Sequence, residues 1–164
     1  MPPPSPAFKL VRLTAADLGE ALELESLVYA RPWTEANFRG EFVRPFTLAL
    51  GLRTGRAVLG HPPILAAHCF FWLLGPEIHL LNLAVRPEYR RRGLARRLMR
   101  AMLTVGRRAG VETVFLEVRP SNVEARGLYR SSGFLDTGRR PGYYEDGEDA
   151  QLMTLPLNIP VLGR

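Results

Sequence analysis

Arg90-Arg91-Arg92-Gly93-Leu94-Ala95 joins two segments of different period. Before it, Ile78–Val85 is a short apolar run that reads as a strand. Behind it, Leu94, Leu98, Ala101, Met102 and Val105 recur on one helical face, with Arg96, Arg97, Arg100, Arg107 and Arg108 largely off it. The spacing predicts a helix from about Leu94 to Ala109, stopped by Gly110 after the cationic pair Arg107-Arg108. The first N–H groups of a helix lack intrahelical partners, and the helix dipole makes that end positive. A pyrophosphate fits there if the backbone can come close, which Gly93 and Ala95 permit while the arginines add charge. The other reading of the same residues is a basic helix start with an incidental glycine.

Upstream, Lys9–Leu13 reads as a short strand, and Thr14-Ala15-Ala16-Asp17 has capping-box spacing ahead of a helix carrying Leu18, Ala21, Leu24 and Val28. A second helix is expected from Thr34, with Phe38 and Phe42 on one face. Phe46–Leu52, Ile64–Leu74 and Ile78–Val85 read as serial strands separated by the turns Thr54-Gly55 and Gly75-Pro76, a pattern of antiparallel hairpins. Downstream, a strand Thr113–Val118, a helix over about Val123–Ser132, and strands Phe134–Gly138 and Gln151–Leu155 are expected, with a polar loop Arg139–Ala150. The order predicts one mixed α/β domain over residues 1–164, led by a flexible proline-rich segment 1–6.

Composition narrows the class. A chain of 164 residues with 46% apolar side chains can bury a core. No run approaches the roughly 20 apolar residues of a membrane span, and the N-terminus lacks the order of a signal peptide. A soluble cytoplasmic protein without membrane partners is expected. Cys69, the one cysteine, lies in the apolar run Ala66–Phe71 and reads as core filler. His61, His68 and His79 lack metal-ligand spacing, so no metal is expected. The net charge of +6 is nearly all arginine, since Lys9 is the only lysine. It suits a polyanionic partner or a phosphorylated cofactor, and equally an arginine-rich solvated surface.

Four further pieces of sequence bear on function. They are Asn82–Tyr89, Leu116–Asn122, Gly127–Phe134 and Gly142–Ala150, to which Pro32–Phe38 adds a fifth. With Arg90, Gly93 and Ala95 matching Gln/Arg-x-x-Gly-x-Gly/Ala, the stretch Asn82–Leu155 resembles the Gcn5-related N-acetyltransferase superfamily. Within it, the Leu-Glu-Val-Arg and Tyr-Tyr…Gly-Glu-Asp-Ala pieces look like the bacterial ribosomal-protein alanine acetyltransferases. Ala95 stands where such relatives often carry glycine, a departure the superfamily pattern allows.

The resemblance implies the GNAT fold: a mixed, mostly antiparallel sheet flanked by helices and splayed between two central parallel strands, Ile78–Val85 and Thr113–Val118. It implies acetyl-CoA as donor. Backbone groups of Leu83, Ala84 and Val85 would hold the pantetheine arm. Those of Arg91, Arg92, Gly93, Leu94, Ala95 and Arg96, with Arg90 ahead of them, would hold the pyrophosphate, and Asn122 would also touch the cofactor.

Acetyl transfer needs a neutral amine and a proton for the departing thiolate. By alternation, Glu117 reads as a residue on a solvated strand face, and Tyr129 as a helix tyrosine packed near Leu128. The resemblance implies instead that Glu117 is the proton acceptor and Tyr129 the acid. A backbone N–H of Leu83–Val85 would serve the thioester oxygen. The acidic run Glu145–Asp149 reads as a solvated turn or, with Tyr143 and Tyr144, as contacts to an incoming peptide. The expected reaction is acetylation of a protein N-terminus, that of a ribosomal protein. A small-amine or lysine acetyltransferase is the alternative enzyme. A non-catalytic ribosome- or RNA-binding module is the alternative class, disfavoured by the absence of interleaved aromatic and basic residues, so no direct nucleic-acid contact is required.

Overall fold

The computed structural model describes residues 7–55 and 62–158. The proline-rich segment 1–6 and His61 lie outside them. The elements are β1 (Phe8–Arg12), α1 (Leu18–Val28), α2 (Glu35–Val43), β2 (Thr47–Thr54), β3 (Leu65–Leu74), β4 (Glu77–Val85), α3 (Leu94–Arg108), β5 (Thr113–Val118), α4 (Val123–Ser131), β6 (Leu135–Arg140) and β7 (Ala150–Pro156). The strands form one sheet in the order β1-β2-β3-β4-β5-β7-β6. It is mostly antiparallel, with β4 and β5 parallel. Their parallel register runs from Glu77↔Thr113 to Leu80↔Leu116. The mixed α/β fold, including this parallel pair, matches the expectation from sequence.

The chain divides into two units, each built from separated segments: Met1–Phe71 with Asn82–Met102, and Trp72–Leu81 with Leu103–Arg164. In the first, Thr14 caps the turn leading into α1: its hydroxyl accepts from the Ala16 N–H at 3.3 Å while its own N–H donates to Asp17 at 2.8 Å. Thr34 caps α2 in the same way, with Asn37 in the role usually taken by Glu or Gln. α1 buries Ala21, Leu24 and Glu25, and α2 buries Phe38. Leu65 to Phe71 of β3 are buried without alternation, as in a strand covered on both faces. Phe38, Phe42 and Trp33 all meet Phe70 edge-on, at 5.3, 5.4 and 5.8 Å between centroids. Gly51 of β2 allows the closest approach, because a Cβ there would lie 2.8 Å from side-chain atoms of both Leu13 and Leu65.

In the second unit, Val114, Leu116 and Val118 of β5 are buried in alternation with half-buried Thr113, Phe115 and Glu117. α3 ends at Arg108, and Gly110 takes φ +77°, the left-handed stop read from the sequence. The last hairpin is longer than expected. β6 reaches Arg140, because Gly138, Arg139 and Arg140 pair with Leu152, Gln151 and Ala150 across a bulge after Asp136. Ladder pairing there outweighs the weak strand preference of Gly and Arg.

Candidate active site

The residues expected to face a cofactor, Asn122 excepted, belong to the first unit. Ala84 is buried, and Leu83 and Val85 are half-buried on the opposite face of β4. The Tyr29 hydroxyl donates to the Leu83 carbonyl at 2.6 Å, so that acceptor is already engaged. One residue upstream, Asn82 enters a buried polar cluster. Its amide donates to both Glu25 oxygens at 2.9 and 3.0 Å. Glu25 also accepts the Trp33 N–H at 3.0 Å and lies 3.2 Å from Nε2 of His68. That nitrogen is 3.3 Å from Asn82 Oδ1 as well. Two acceptors facing Nε2 place its proton there, which leaves Nδ1 buried without a partner. The cluster ties α1, the α1–α2 connection, β3 and β4 at one point.

After β4 the chain is pinned by Arg86, which is buried. Its Nε donates to the Leu65 carbonyl at 2.8 Å, its Nη2 meets Glu23 at 2.8 Å, and its backbone N–H donates to Ala66. A single 3-10 turn, Pro87–Tyr89, follows. Arg91 then takes φ +61° and Gly93 φ +75° before α3 begins at Leu94. A non-glycine residue in the left-handed region costs about 1–3 kcal/mol and persists only where its surroundings hold it. Left-handed residues at a helix start turn successive N–H groups to one side, a concavity suited to anions. The Arg90, Arg91 and Arg92 side chains are exposed. A Cβ added at Gly93 would meet no protein atom within 4 Å, so its glycine serves the backbone conformation and not packing. These residues fit a pyrophosphate: oriented amides, a helix N-terminus and guanidinium groups.

Glu117, Tyr129, Tyr143, Tyr144 and Asn122 belong to the second unit. Glu117 stands on β5 with its side chain 27% exposed, and its Oε1 is 3.1 Å from Nη1 of Arg140, the last residue of β6. The Tyr143 hydroxyl hydrogen-bonds the same carboxylate, and this contact, with burial, raises the phenol above its ordinary range. Tyr144 is pushed up to about 12, chiefly by burial. The Arg119 guanidinium covers the Tyr144 ring at 3.8 Å and binds Asp146 and Glu148, each at 2.9 Å. Glu148 also accepts the Ser121 N–H at 2.9 Å, and its hydrogen bonds to Ser121 hold its carboxyl below the usual range. Asp149 accepts the Gly142 N–H at 2.9 Å and pairs with Arg139 at 3.5 Å. The acidic run is therefore the fastening of its own loop, and the carboxylates read as peptide contacts are largely spent on Arg119, Arg139 and backbone amides.

Tyr129 is buried on α4, its ring 5.7 Å from Phe134. Asn122 caps α4, its Oδ1 accepting the Ala125 N–H at 3.1 Å, so a ligand contact would come from its Nδ2 amide. Burial pushes the Cys69 thiol up to about 12, which leaves it an inert core side chain. His79 pairs with Glu77 at 2.8 Å and stacks on Phe115. Among the described residues, no group of three or more His, Cys, Asp or Glu side chains is placed to hold a metal ion, and no helix is long and apolar enough to cross a membrane.

The sequence model of the Acetyltransferase (GNAT) family matches residues 20–134. The chain belongs to this family. It is an acetyl-CoA-dependent N-acetyltransferase. The chain is 36% identical over 153 residues to the [Ribosomal protein bS18]-alanine N-acetyltransferase of Escherichia coli, covering 90% of this chain and 96% of that one. It is 33% identical over 144 residues to the Putative [ribosomal protein bS18]-alanine N-acetyltransferase of Bacillus subtilis, covering 87% and 91%. The crystal structure of the ribosomal-protein-S18-alanine N-acetyltransferase from Escherichia coli superposes with a TM-score of 0.82, covering 96% of this chain and 99% of that one.

Sequence reasoning pointed to Glu117 and Tyr143 separately, and the structure joins them on one carboxylate. It missed Arg140, Arg119 as the fastening of the loop, and the cluster of Glu25, His68 and Asn82. The signal for the cluster was a carboxylate, an imidazole and an amide set in otherwise apolar stretches. Their partners lie 43 and 57 residues away from Glu25, beyond any local pattern.

Proposed function

We propose that this enzyme acetylates the α-amine of a protein N-terminus, the acceptor being the N-terminal alanine of ribosomal protein bS18. The observation that carries the reading is the near full-length similarity to two enzymes named for that acceptor. The chemistry agrees with it. An α-amine has a reference pKa near 8, against about 10.4 for lysine, so a modest base suffices. Glu117 takes the proton of the ammonium, directly or through a water. The neutral nitrogen then forms its bond to the thioester carbonyl carbon, assisted by a backbone N–H of Leu83–Val85. Tyr129 gives its proton to the thiolate as the carbon–sulfur bond breaks, and the newly bonded nitrogen gives up its second proton to the tyrosinate through water. Glu117 returns its proton to solvent, and the products are the N-acetyl peptide and free coenzyme A. Amides of Arg91–Arg96 hold the pyrophosphate with Arg90 and its neighbours, Asn122 adds a contact, and Tyr143 and Tyr144 wall the acceptor.

Residues 1–164 act as one catalytic domain on this reading. Each unit is discontinuous in the chain and the family match runs through segments of both, which supports it. A ribosomal acceptor places the enzyme in the cytoplasm. The test is the intact mass of bS18 from ribosomes of a strain lacking the gene and of its parent. Loss of one acetyl group in the deletion strain, restored by the wild-type gene, is the expected result. An unchanged mass overturns the choice of acceptor.

A further inference from the structure

Arg140 bears on how the acceptor reaches Glu117. Its Nη1 is 3.1 Å from Glu117 Oε1, the only salt bridge of that carboxylate among the described residues. Acting directly, Glu117 holds the acceptor's ammonium within hydrogen-bond reach before it takes a proton. A guanidinium at that oxygen is itself a cation and repels an arriving one.

We propose that Arg140 occupies the position the acceptor's ammonium takes at Glu117, so that acceptor binding exchanges one cation for another on a single carboxylate. This rests on Glu117 being the proton acceptor. The geometry suits an exchange. The Arg140 backbone is fixed in the ladder opposite Ala150, so only the side chain has to move. That side chain is 57% exposed. Its guanidinium lies 5.6 Å from the centre of the Tyr143 ring, a face on which the released cation can rest. Tyr143 keeps its hydrogen bond to the carboxylate while the partner changes. Two other arginines are not exchangeable in the same way: Arg119 is shared between two carboxylates and a ring, and Arg139 is paired with Asp149. An acceptor that arrives as a cation replaces the charge it displaces. A neutral acceptor does not, and it leaves the Glu117–Arg140 pair closed. Specificity for a cationic amine follows from this one contact.

The test measures peptide binding by calorimetry, with coenzyme A present, and steady-state kinetics with an alanine-initiated peptide. It compares the wild type with Arg140→Met, Arg140→Gln, Arg140→Lys, Glu117→Gln and the double variant Glu117→Gln/Arg140→Met. Opening a half-exposed ion pair costs little, so Arg140→Met and Arg140→Gln should each lower the peptide KM about two- to five-fold, leaving the acetyl-CoA KM unchanged. Arg140→Lys, which keeps the cation, should retain the wild-type KM. In the Glu117→Gln background, Arg140→Met should no longer tighten peptide binding. A peptide KM that is unchanged or raised in both neutral variants overturns the exchange, as does equal tightening with and without Glu117. An undiminished kcat in Glu117→Gln overturns the reading of Glu117 as base, and that outcome is separate from the first.

Discussion

On the proposed mechanism Glu117 and Tyr129 serve different protons, and their variants should differ in pH dependence. Glu117→Gln is expected to lower turnover by about 10²- to 10⁴-fold where the amine is protonated, the loss shrinking as pH rises toward the amine pKa near 8. Tyr129→Phe should lower turnover at every pH, because its proposed partner is the departing thiolate. Rate profiles of the two variants check this, and equal, pH-independent losses contradict it. Each residue was legible only through the motif around it. Alternation alone placed Glu117 on an exposed face, and β5 does alternate in that way. What alternation could not supply was the company on that face: Arg140 and Tyr143 come from a hairpin more than 20 residues downstream, and no period in the sequence links them to β5.

At the scale of elements, the turn into α3 was the most legible feature. Its helix has a strong period, a cationic last turn and a glycine stop, all of them local signals. The left-handed Arg91 was not legible, since arginine carries no preference for that region. Gly93→Ala should cost about 1–2 kcal/mol of stability, the strain of a side chain at φ +75°, measured by denaturant unfolding. Gly93→Trp should add a much larger loss of acetyl-CoA affinity by calorimetry, and unchanged affinity in a folded Gly93→Trp variant contradicts the phosphate role.

The loop between β6 and β7 shows the opposite case. Its acidic run read equally as a solvated turn or as a peptide contact, and nothing in the sequence signalled the fastening by Arg119 and Ser121. Because Glu148 is held below its ordinary value of 4.5, the fastening contributes stability above that pH and loses it as pH falls through the folded value. The Ser121 amide resonance should follow that titration with a midpoint below 4.5. A midpoint at or above it contradicts the fastening.

For the molecule as a whole, the element order predicted the pairs β2-β3, β3-β4 and β6-β7, because each is joined without an intervening helix. The parallel pairing of β4 with β5 came from the family resemblance, as no local pattern encodes a crossover. The division into two interleaved units was not legible at all, since the strands β3 and β4 each pass from one unit to the other within a single apolar run. The central claim is that the enzyme acts on a peptide α-amine. Two peptides of one sequence test it most directly: one with a free N-terminal alanine and no lysine, the other blocked at its N-terminus and carrying one lysine, each incubated with enzyme and acetyl-CoA. The account predicts rapid acetylation of the free N-terminus and little of the lysine. Acetylation of the blocked lysine peptide at an equal rate would contradict it.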